Sequence, residues 1–373
     1  MRFWGITGTN GKTTTAWIFA EFVNSVPGRS CGYITTVEVF DGARRFSTGY
    51  TTPPYQQLKE IVSSMEQNGC TDCVMEVSSH AIHQHRTGDV VFSGGVFTNL
   101  SEDHLDYHKT MEEYFEVKLS FAQMVASSCK PTPEMGRGDL PPFVVCLDGS
   151  FGREMFNAAG NLSVNVIPSS IATSKYDLSQ LQLVGEYNKS NVLAAAALAE
   201  KALVPRENIQ RVIPTLSPRW GRLERVANPS VAAETYVDFA HTPDGLDKVL
   251  SAAKKFTRNN LWVVFGAGGD RDRTKRPLMG GGCASRADKI VVTADNPRSE
   301  DPEAIIAEII SGIPKGIEFV KEADRLKAIH YALSNADEGD VIIIAGKGHE
   351  TYQEIQGVKY PFDDRVVVAE FRK

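Results

Sequence analysis

The sequence predicts an α/β protein with two domains: a P-loop-type parallel-sheet domain at residues 1–217, followed by a smaller Rossmann-like α/β domain at residues 218–373. Short runs of β-forming residues alternate with longer helical patterns along the whole chain, which is typical of parallel sheets whose strands are joined by helices. The alternation is interrupted at Pro214 and Pro218 and then begins again, so we expect the domain boundary near residues 216–219. A length of 373 residues also agrees with two domains.

In the first domain, the β-type runs predict strands and the patterns between them predict helices. The strands are expected at residues 3–7, 33–39, 73–77, 91–98 and 143–147, and the helices near residues 13–23, 55–68, 111–125 and 191–202. The stretch at residues 127–142 is rich in Ser, Pro and Gly and predicts a loop or a small insertion. In the second domain, strands are expected near residues 235–239, 261–265, 289–293 and 341–345, with helices between them.

Composition and charge limit the classes of function. Hydrophobic residues make up 42% of the chain and charged residues 23%, so it can bury ordinary cores. The net charge of −6 argues against binding to nucleic acid through bulk charge, although a local basic groove can still bind a phosphorylated ligand. The sequence has no apolar run of the roughly 20 residues that a membrane span needs, and its first residues lack the apolar stretch of a signal peptide. We therefore expect a soluble cytoplasmic protein without nucleic-acid or membrane partners.

The six cysteines are scattered and too few for a disulfide scaffold. Cys70 and Cys73 have the spacing of a redox or zinc pair, but no second pair or nearby His-x-x-x-His completes a zinc site. Cys73 leads into the apolar residues Val74 and Met75, which predicts a buried strand. We therefore expect two reduced thiols, one of them in the core.

The clearest chemical motif is Gly8-Thr9-Asn10-Gly11-Lys12-Thr13, which follows a predicted strand and begins a predicted helix. Glycines in such a loop let backbone N–H groups approach phosphate oxygens, while Lys12 meets the β- and γ-phosphate charge and the Thr13 hydroxyl can bind Mg²⁺. Ile6 stands where the standard pattern has its first glycine. A turn that only caps a helix is the alternative, but a lysine followed by three threonines between strand and helix disfavours it. We therefore expect ATP or GTP binding.

Two further polar segments follow predicted strands. Glu76 lies at the carboxyl end of a strand, where ligands collect in open α/β sheets, and a carboxylate there can hold the magnesium of a bound nucleotide. The run at residues 98–108, which includes His104 and Asp106, is dense in metal-binding groups. Each residue also has an ordinary interpretation. Glu76 would be a capping or ion-paired carboxylate, His104 a structural histidine, and Lys118 a surface lysine whose stem packs on apolar neighbours.

Together these segments resemble the Mur ligase family, the ATP-dependent amide-forming enzymes of peptidoglycan precursor synthesis. The motifs at residues 8–13, 75–80 and 98–108, with the downstream Lys118, are similar to the family's central domain. Similar motifs continue through the C-terminal part, at residues 185–191, 221–224, 238–244, 265–272, 275–277, 295–298 and 345–350. The resemblance covers nearly the whole chain and is closest to the member that adds the third residue of the stem peptide.

The resemblance implies how ATP and metal would be bound. The residues expected to bind ATP are Gly8, Thr9, Asn10, Gly11, Lys12, Thr13, Thr14, Asn188, Arg222 and Asp238. Lys118 would be carbamoylated by CO2, which turns a cation into an anionic oxygen ligand suited to Mg²⁺. The expected Mg²⁺ ligands are Thr13, Glu76, His104 and Lys118, and the expected catalytic residues are Lys12, Glu76, His104 and Lys118.

The resemblance also implies two substrate sites. The residues expected to bind a muramoyl-dipeptide acceptor are Thr51, Thr52, Ser78, Gln84 and Arg86. The residues expected to bind the amino acid are Arg271, Asp295, Asn296, Pro297, Arg298, Gly346 and Glu350. meso-Diaminopimelate carries one carboxylate more than lysine, and the Arg298 guanidinium can bind that group bidentately, whereas lysine would leave the arginine unpaired. Without the surrounding motifs, a turn with a solvated arginine would be the preferred interpretation.

The activity implied is that of an ADP-forming ligase joining meso-diaminopimelate to the D-Glu γ-carboxylate of UDP-MurNAc-L-Ala-D-Glu through an acyl phosphate. The family also has an N-terminal UDP-binding domain of about a hundred residues, which we expect this chain to lack because its phosphate loop begins at residue 8. Glu186, where the family often has arginine, and residues 145–149 depart from the family pattern. Two alternatives stay open: a related ligase whose acceptor lacks UDP, and an ATP-binding module without turnover. We expect a monomer whose partners are small molecules.

Overall fold

The computed structural model describes residues 1–105, 107–132 and 135–372. Asp106 of the polar run, and Pro133 and Glu134 of the expected loop, lie outside the described residues. The chain divides into two compact units: unit 1 comprises Met1–Ser101 and His108–Ser217, and unit 2 comprises Glu102–Tyr107 and Pro218–Lys373. The short segment that includes His104 thus groups with the C-terminal part of the chain.

Unit 1 is a mainly parallel sheet covered by helices. Its strands, within the described residues, are β1 (Arg2–Thr7), β2 (Cys31–Ile34), β3 (Val39–Phe40), β4 (Arg45–Phe46), β5 (Asp72–Glu76), β6 (Phe92–Phe97), β7 (Pro142–Cys146) and β8 (Asn165–Ser169). Its helices are α1 (Lys12–Asn24), α2 (Tyr55–Gln67), α3 (Ser79–His83), α4 (Met111–Ala126), α5 (Gly152–Ala159), α6 (Glu186–Lys201) and α7 (Arg206–Val212). The strand order is β4-β3-β2-β5-β1-β6-β7-β8; within the described residues, β3 pairs antiparallel with both β2 and β4, and the other neighbouring strands pair parallel.

Strand β5 is buried along its whole length, and its middle residues Cys73, Val74 and Met75 form a continuous apolar run instead of alternating with polar residues. Strand β1 pairs with β5 on one side and β6 on the other, with Ile6 opposite Glu76 and Thr7 opposite Phe97. The carboxyl ends of these three parallel strands therefore meet at one edge of the sheet. The phosphate loop, Glu76 and the polar run after β6 all begin at that edge.

Helices α1 and α4 carry the two lysines of this edge, Lys12 and Lys118, and both helices are fixed by packing. Most side chains of α1 are buried, because it lies against β5 and α6. Phe121 of α4 packs against the rings of Phe92 and Phe143, with centroids 5.1 and 6.0 Å away. A Cβ at Gly5 of β1 would overlap the Phe121 ring, so the absence of a side chain there lets α4 approach the sheet.

Most predicted elements of unit 1 are present, but the single strand predicted at residues 33–39 is wrong. The chain leaves the sheet after Ile34 and returns antiparallel as β3. The turn forms because the backbone N–H and the hydroxyl of Thr35 both donate to the carbonyl oxygen of Glu38, at 3.1 and 2.8 Å. Helix α6 also begins at Glu186, five residues before the predicted start, and β4, β8, α3, α5 and α7 were not predicted.

Unit 2 is a second parallel α/β sheet with an added hairpin. Its strands, within the described residues, are β9 (Glu224–Arg225), β10 (Glu234–Asp238), β11 (Leu261–Phe265), β12 (Lys289–Val292), β13 (Val320–Lys321), β14 (Val341–Ala345), β15 (Tyr352–Ile355) and β16 (Val358–Pro361). Its helices are α8 (Pro243–Lys254), α9 (Lys275–Arg286), α10 (Pro302–Ile310), α11 (Arg325–Asn335) and α12 (Asp364–Glu370). The main sheet has the order β13-β12-β11-β14-β10-β9, with β9 antiparallel, and β15 and β16 form the separate hairpin.

Strand β14 lies between β10 and β11, and all five of its residues are buried. The segments that follow β10, β11, β12 and β14 therefore emerge at one edge, as in unit 1. They carry the sequence motifs at residues 238–244, 265–272, 295–298 and 345–350. Across the part of the chain that the structure describes, no helix combines the length and apolarity needed to cross a membrane.

Candidate active site

The phosphate loop in unit 1 has the backbone geometry that its glycines permit. Gly8 and Gly11 have φ values of 144° and 86°, and a side chain on Gly8 would overlap the Thr98 hydroxyl. The loop is held to the segment after β6: the N–H of Thr9 donates to the carbonyl oxygen of Asn99 at 2.8 Å, and the Thr98 hydroxyl donates to the carbonyl oxygen of Asn10 at 2.6 Å. These hydrogen bonds fix the loop to the segment that follows β6.

Lys12 places its charge at the loop itself. Its Nζ lies 3.0 Å from the carbonyl oxygen of Gly8 and 2.8 Å from that of Thr9. Lys12 is also the first residue of α1, whose N-terminal N–H groups favour anions. Thr14, which was also expected to bind ATP, is buried in α1. Position and charge therefore both suit a phosphate ligand.

Glu76 is buried at the carboxyl end of β5 and is oriented by three hydrogen bonds. Its Oε1 accepts from the Thr13 hydroxyl at 2.7 Å and from the N–H of Thr36 at 2.8 Å, and its Oε2 accepts from the Thr36 hydroxyl at 3.1 Å. The structure thus brings together Thr13 and Glu76 as predicted, and adds Thr36, for which the sequence carried no signal.

The oxygen donors of Thr13 and Glu76 fit Mg²⁺, which takes one or two protein oxygens and completes its shell with phosphates and water. No group of three or more His, Cys, Asp and Glu side chains arranged to hold a metal occurs among the described residues.

Lys118 of α4 is buried, with 1% of its surface exposed, which rules out the surface lysine that the sequence left open. Its Nζ donates to the carbonyl oxygen of Gly8 at 2.9 Å and lies 4.6 Å from the centroid of the Tyr114 ring. The hydroxyl of Tyr114 in turn lies 3.2 Å from that of Thr9. Lys12 and Lys118 therefore share one carbonyl oxygen of the phosphate loop, and Tyr114 is a site neighbour that the sequence analysis missed.

His104 belongs to unit 2 and has a left-handed backbone, with φ 57°. Its Nε2 lies 3.4 Å from Asp103 Oδ2, and its N–H donates to Asp103 Oδ1 at 3.0 Å. Within the same unit, Lys275 Nζ lies 3.7 Å from Asp103 Oδ1. The metal-ligand role expected for His104 stays a prediction.

The five residues expected to bind the acceptor form one polar cluster in unit 1. The Thr52 hydroxyl donates to the carbonyl oxygen of Glu76 at 2.8 Å and accepts from the N–H of Ser78 at 3.1 Å. Arg86 donates to the carbonyl oxygen of Thr52 at 3.4 Å and to Gln84 Oε1 at 2.8 Å. Thr51 joins the cluster through the hydroxyl of Thr36, 3.0 Å away. The cluster thus lies directly beside the predicted metal ligand of β5.

The residues expected to bind the amino acid meet at the carboxyl edge of unit 2. Asn296 Nδ2 donates to Glu350 Oε2 at 2.8 Å, and the buried Lys347 reaches both residues. Gly346 has φ 115°, and a side chain there would lie 3.2 Å from Asp295 Oδ2. Burial, together with the neighbouring Asp295, raises the pKa of Glu350, and Lys347 opposes this shift.

Arg298 is half-buried and oriented by the protein instead of being free in solvent. Its Nη1 donates to the carbonyl oxygen of Gly269 at 2.8 Å, and its Nε lies 3.6 Å from Glu354 Oε2. A Cβ on Gly268 would meet Arg298 Nη1 at 2.9 Å and Arg271 Cγ at 3.7 Å, so both arginines flank Gly268. The preceding Pro297 lies against Gly269.

The three remaining residues expected to bind ATP lie in different units. Asn188 is buried in α6 of unit 1, where its Oδ1 lies 3.4 Å from Asn191 Nδ2. In unit 2, Asp238 accepts from the N–H groups of Leu223 and Ala240 at 2.6 and 2.7 Å, and its burial raises its pKa. The Arg222 guanidinium lies 4.6 Å from the centroid of the Phe239 ring.

Fold and phosphate loop together define a P-loop-type α/β protein with a second α/β unit. Comparison with known families is more specific: residues 6–199 match the Mur ligase middle domain, and residues 221–348 match the Mur ligase glutamate ligase domain. The chain therefore belongs to the Mur ligase family.

Individual relatives agree with this assignment. The chain is 39% identical over 387 residues to a UDP-N-acetylmuramoyl-L-alanyl-D-glutamate–2,6-diaminopimelate ligase from Bacillus cereus, with 98% of this chain and 77% of the relative covered. It is 38% identical over 383 residues to the ligase of the same name from Synechococcus elongatus, with 97% and 74% covered.

Solved structures show the same fold. A UDP-N-acetylmuramoyl-L-alanyl-D-glutamate–2,6-diaminopimelate ligase structure, 34% identical, superposes with a TM-score of 0.62 over 99% of this chain and 77% of that one. A folylpolyglutamate synthase from Mycobacterium tuberculosis, complexed with ADP and AMPPCP, is 18% identical with a TM-score of 0.64, covering 92% and 88%. At that identity the likeness concerns the fold alone.

Proposed function

We propose that the chain is an ATP-dependent, ADP-forming ligase that joins meso-diaminopimelate to the D-Glu γ-carboxylate of UDP-MurNAc-L-Ala-D-Glu in peptidoglycan precursor synthesis. The observation that carries the proposal is the cluster in unit 2, where a half-buried guanidinium, Arg298, lies in the same loop as Asn296, the partner of Glu350. A diamino acid with two carboxylates can offer a carboxylate to Arg298 and an ammonium group to Glu350. The names of the relatives, 36% to 39% identical, support the same activity.

ATP use is supported by the phosphate loop and by the family. The N-terminal N–H groups of α1 and the charges of Lys12 and Lys118 would bind the triphosphate, and Asn188, Arg222 and Asp238 would contact the rest of the nucleotide. Thr13 and Glu76, with His104 and a carbamate on Lys118, would hold Mg²⁺. When bound, the metal supplies charge neutralisation to the transferring phosphoryl group.

Carbamoylation of Lys118 requires the neutral amine. The nitrogen attacks CO2, a proton leaves to solvent, and the product is an anionic carbamate. The fixed position of Lys118 beside Gly8 supports this modification, because the new oxygens would form next to the phosphate loop. The carbamate would also relieve the repulsion between two ammonium groups at one carbonyl oxygen.

The acceptor would bind at the cluster formed by Thr52, Ser78 and Arg86. Its γ-carboxylate oxygen attacks the γ-phosphorus of ATP, the bond to the β–γ bridging oxygen breaks, and ADP leaves. Lys12 stabilises the charge that develops on the phosphoryl oxygens, which is how phosphoryl transfer is mainly catalysed. The product of this step is an acyl phosphate.

The amine of the diamino acid then attacks the acyl carbon. The C–O bond to phosphate breaks, inorganic phosphate leaves, and the amine nitrogen loses a proton as the amide forms. Arg298, Arg271 and Glu350 would hold the amino acid for this attack, so that the reaction gains from orientation as well as from activation. We further propose that the protein is a monomer acting in the cytoplasm.

Phosphate release tests the proposed activity. The chain is incubated with ATP, Mg²⁺, UDP-MurNAc-L-Ala-D-Glu and meso-diaminopimelate, with L-lysine as the matched amine and the Lys12→Ala variant as a control for contaminating ATPase. We expect phosphate and the amide product, detected by mass spectrometry, with diaminopimelate and little with lysine. Release only with an acceptor lacking UDP would favour the related ligase, and no release with any amine would refute the proposal.

A further inference from the structure

Lys347 is a buried cation in the amino-acid cluster that the sequence analysis did not select. Its side chain is 0% exposed, and its Nζ lies 3.0 Å from Asn296 Oδ1, 3.3 Å from Glu350 Oε2 and 3.4 Å from Asp295 Oδ1. An ammonium without water is stable only where acceptors surround it. One ammonium therefore links three residues that are expected to bind the amino acid.

The contacts of Lys347 determine the orientation of the Asn296 amide. Asn296 Oδ1 accepts from Lys347 Nζ at 3.0 Å and from the N–H of Glu354 at 2.9 Å, while its Nδ2 donates to Glu350 Oε2 at 2.8 Å. With the amide reversed, its NH2 group would face two donors and its oxygen would face a carboxylate. Lys347 thus stabilises the one orientation in which Asn296 binds Glu350.

The same contacts use only one oxygen of Glu350. Its Oε2 receives both Asn296 Nδ2 and Lys347 Nζ, whereas Oε1 accepts no hydrogen bond from the described residues. A carboxylate that is held through one oxygen keeps the other for a ligand. A carboxylate oxygen in a partly buried site forms a strong, charge-assisted hydrogen bond with a cationic donor such as an ammonium group.

The charges of the cluster lead to the same ligand. Asp295, Lys347 and Glu350 together carry a net charge of −1 when ionised, and the nearby buried Arg325 is neutralised by Asp364, 2.7 Å away. A substrate ammonium would bring the cluster to neutrality. Without Lys347, Asp295 and Glu350 would face each other with no cation between them, which disfavours an ionised Glu350.

We propose that Lys347 is a positioning residue of the amino-acid site: it orients Asn296 and Glu350 so that Glu350 Oε1 receives an ammonium of the diamino acid. The proposal rests on the ligase activity proposed above. Lys347 contacts no reacting atom, and its effect is carried through the two residues that it orients. Loss of Lys347 should therefore affect the amino acid much more than ATP.

Steady-state kinetics of Lys347→Met and Lys347→Gln tests this role. We expect the KM for meso-diaminopimelate to rise by roughly tenfold or more in both variants, while the KM for ATP changes by less than about twofold, because only the first substrate uses the oriented carboxylate. Asp340→Asn is the matched control. Asp340 is a buried charge directly before β14, whereas Lys347 follows the other end of that strand, and Asp340 accepts from Trp262 Nε1 at 2.8 Å. The Asp340→Asn variant should therefore lose stability but change the KM for diaminopimelate no more than the KM for ATP.

A double-variant cycle keeps the proposal testable if Lys347→Met does not fold. If Lys347 acts through Asn296, then Asn296→Ala combined with Lys347→Gln should raise the KM for diaminopimelate hardly more than the worse single variant. The role of Lys347 would be overturned if the effects of the two single variants on the KM for diaminopimelate multiplied in the double variant, or if the KM for ATP and the KM for diaminopimelate changed equally. Neither result would contradict the proposed ligase activity. Absence of any phosphate release by the wild-type chain would instead refute the proposed function itself.

Discussion

Arg298 gains its orientation from three neighbouring groups, and this matters more than its charge alone. Its backbone is in the left-handed region, with φ 50°, and its N–H donates to the carbonyl oxygen of Glu354 at 3.0 Å. The guanidinium is held between the carbonyl oxygen of Gly269 and the Glu354 carboxylate. A side chain fixed in this way loses less rotamer entropy when it binds a carboxylate.

Arg298→Ala should therefore cost selectivity. We expect the ratio of kcat/KM for meso-diaminopimelate over lysine to fall by on the order of 2 kcal/mol, or roughly 30-fold, since only the first amine carries the distal carboxylate. The measurement is kcat/KM for both amines. Arg273→Ala is the matched control, because Arg273 is 63% exposed and pairs with Glu308. An equal loss for both amines would contradict the assignment of Arg298.

Lys118 is the residue whose burial most changes its interpretation. Lys118→Ala should be nearly inactive, because both the charge beside Gly8 and the proposed carbamate oxygens are lost. Partial recovery of phosphate release with added acetate or formate would support the carbamate, since a small carboxylate replaces its oxygens. The exposed Lys130 gives a control, and Lys130→Ala should keep wild-type rates. Full activity of Lys118→Ala would show that the amine has no part in turnover.

At the scale of elements, the phosphate loop depends on the contact between α1 and α6. Gly11 has φ 86°, and a side chain there would overlap Asn191 Oδ1 on α6. The N–H of Thr15 donates to the carbonyl oxygen of Gly11 at 2.9 Å, so the residue is also part of the first helical turn. The geometry of the loop is therefore set by a neighbouring helix as well as by its own sequence.

Gly11→Ala should weaken ATP binding by roughly tenfold or more, because the loop must move to relieve the overlap with Asn191. The KM for ATP and the affinity for ADP measure this. Gly28→Ala separates the overlap from backbone strain: Gly28 has φ 78°, but a Cβ there would meet nothing within 4 Å. It should cost about 1 kcal/mol of stability and leave ATP binding unchanged. The same KM for ATP in both variants would contradict the argument.

The hairpin of β15 and β16 shows which elements the sequence could not predict. All four residues of β16 are exposed, so its sequence lacks the apolar pattern by which a buried strand can be predicted. The hairpin nevertheless builds the amino-acid site, because Glu354 binds both Arg298 and Asn296. Strands such as Val341–Ala345, buried on both faces, were predicted with their correct ends since their apolar runs are continuous.

For the whole molecule, the sequence predicted where the candidate sites lie better than how they are built. Motifs at the carboxyl ends of parallel strands must meet at one sheet edge, so the proximity of Thr13 to Glu76 was predictable. The partners that orient these groups were not predictable. Thr36, for example, lies in a turn where the sequence analysis predicted a continuous strand. Lys347 lay inside a recognised motif, but only its burial distinguishes it from a solvent-exposed lysine.

Stability as a function of pH tests the packing of unit 2 independently of catalysis. Burial, reinforced by the charge of Arg222, lowers the pKa of His349 to about 3, and its ring packs against Phe239 with centroids 5.0 Å apart. The unfolded chain takes up a proton at this residue below about pH 6.5, whereas the folded protein does not, so the contribution is present above that pH and is lost as the pH falls. Between pH 7 and pH 5, the wild type should lose about 2 kcal/mol more of its free energy of unfolding than His349→Gln, as measured by urea denaturation. Parallel losses in the two proteins would mean that His349 is protonated in the folded state, and the close packing of Arg222, Phe239 and His349 would then be wrong.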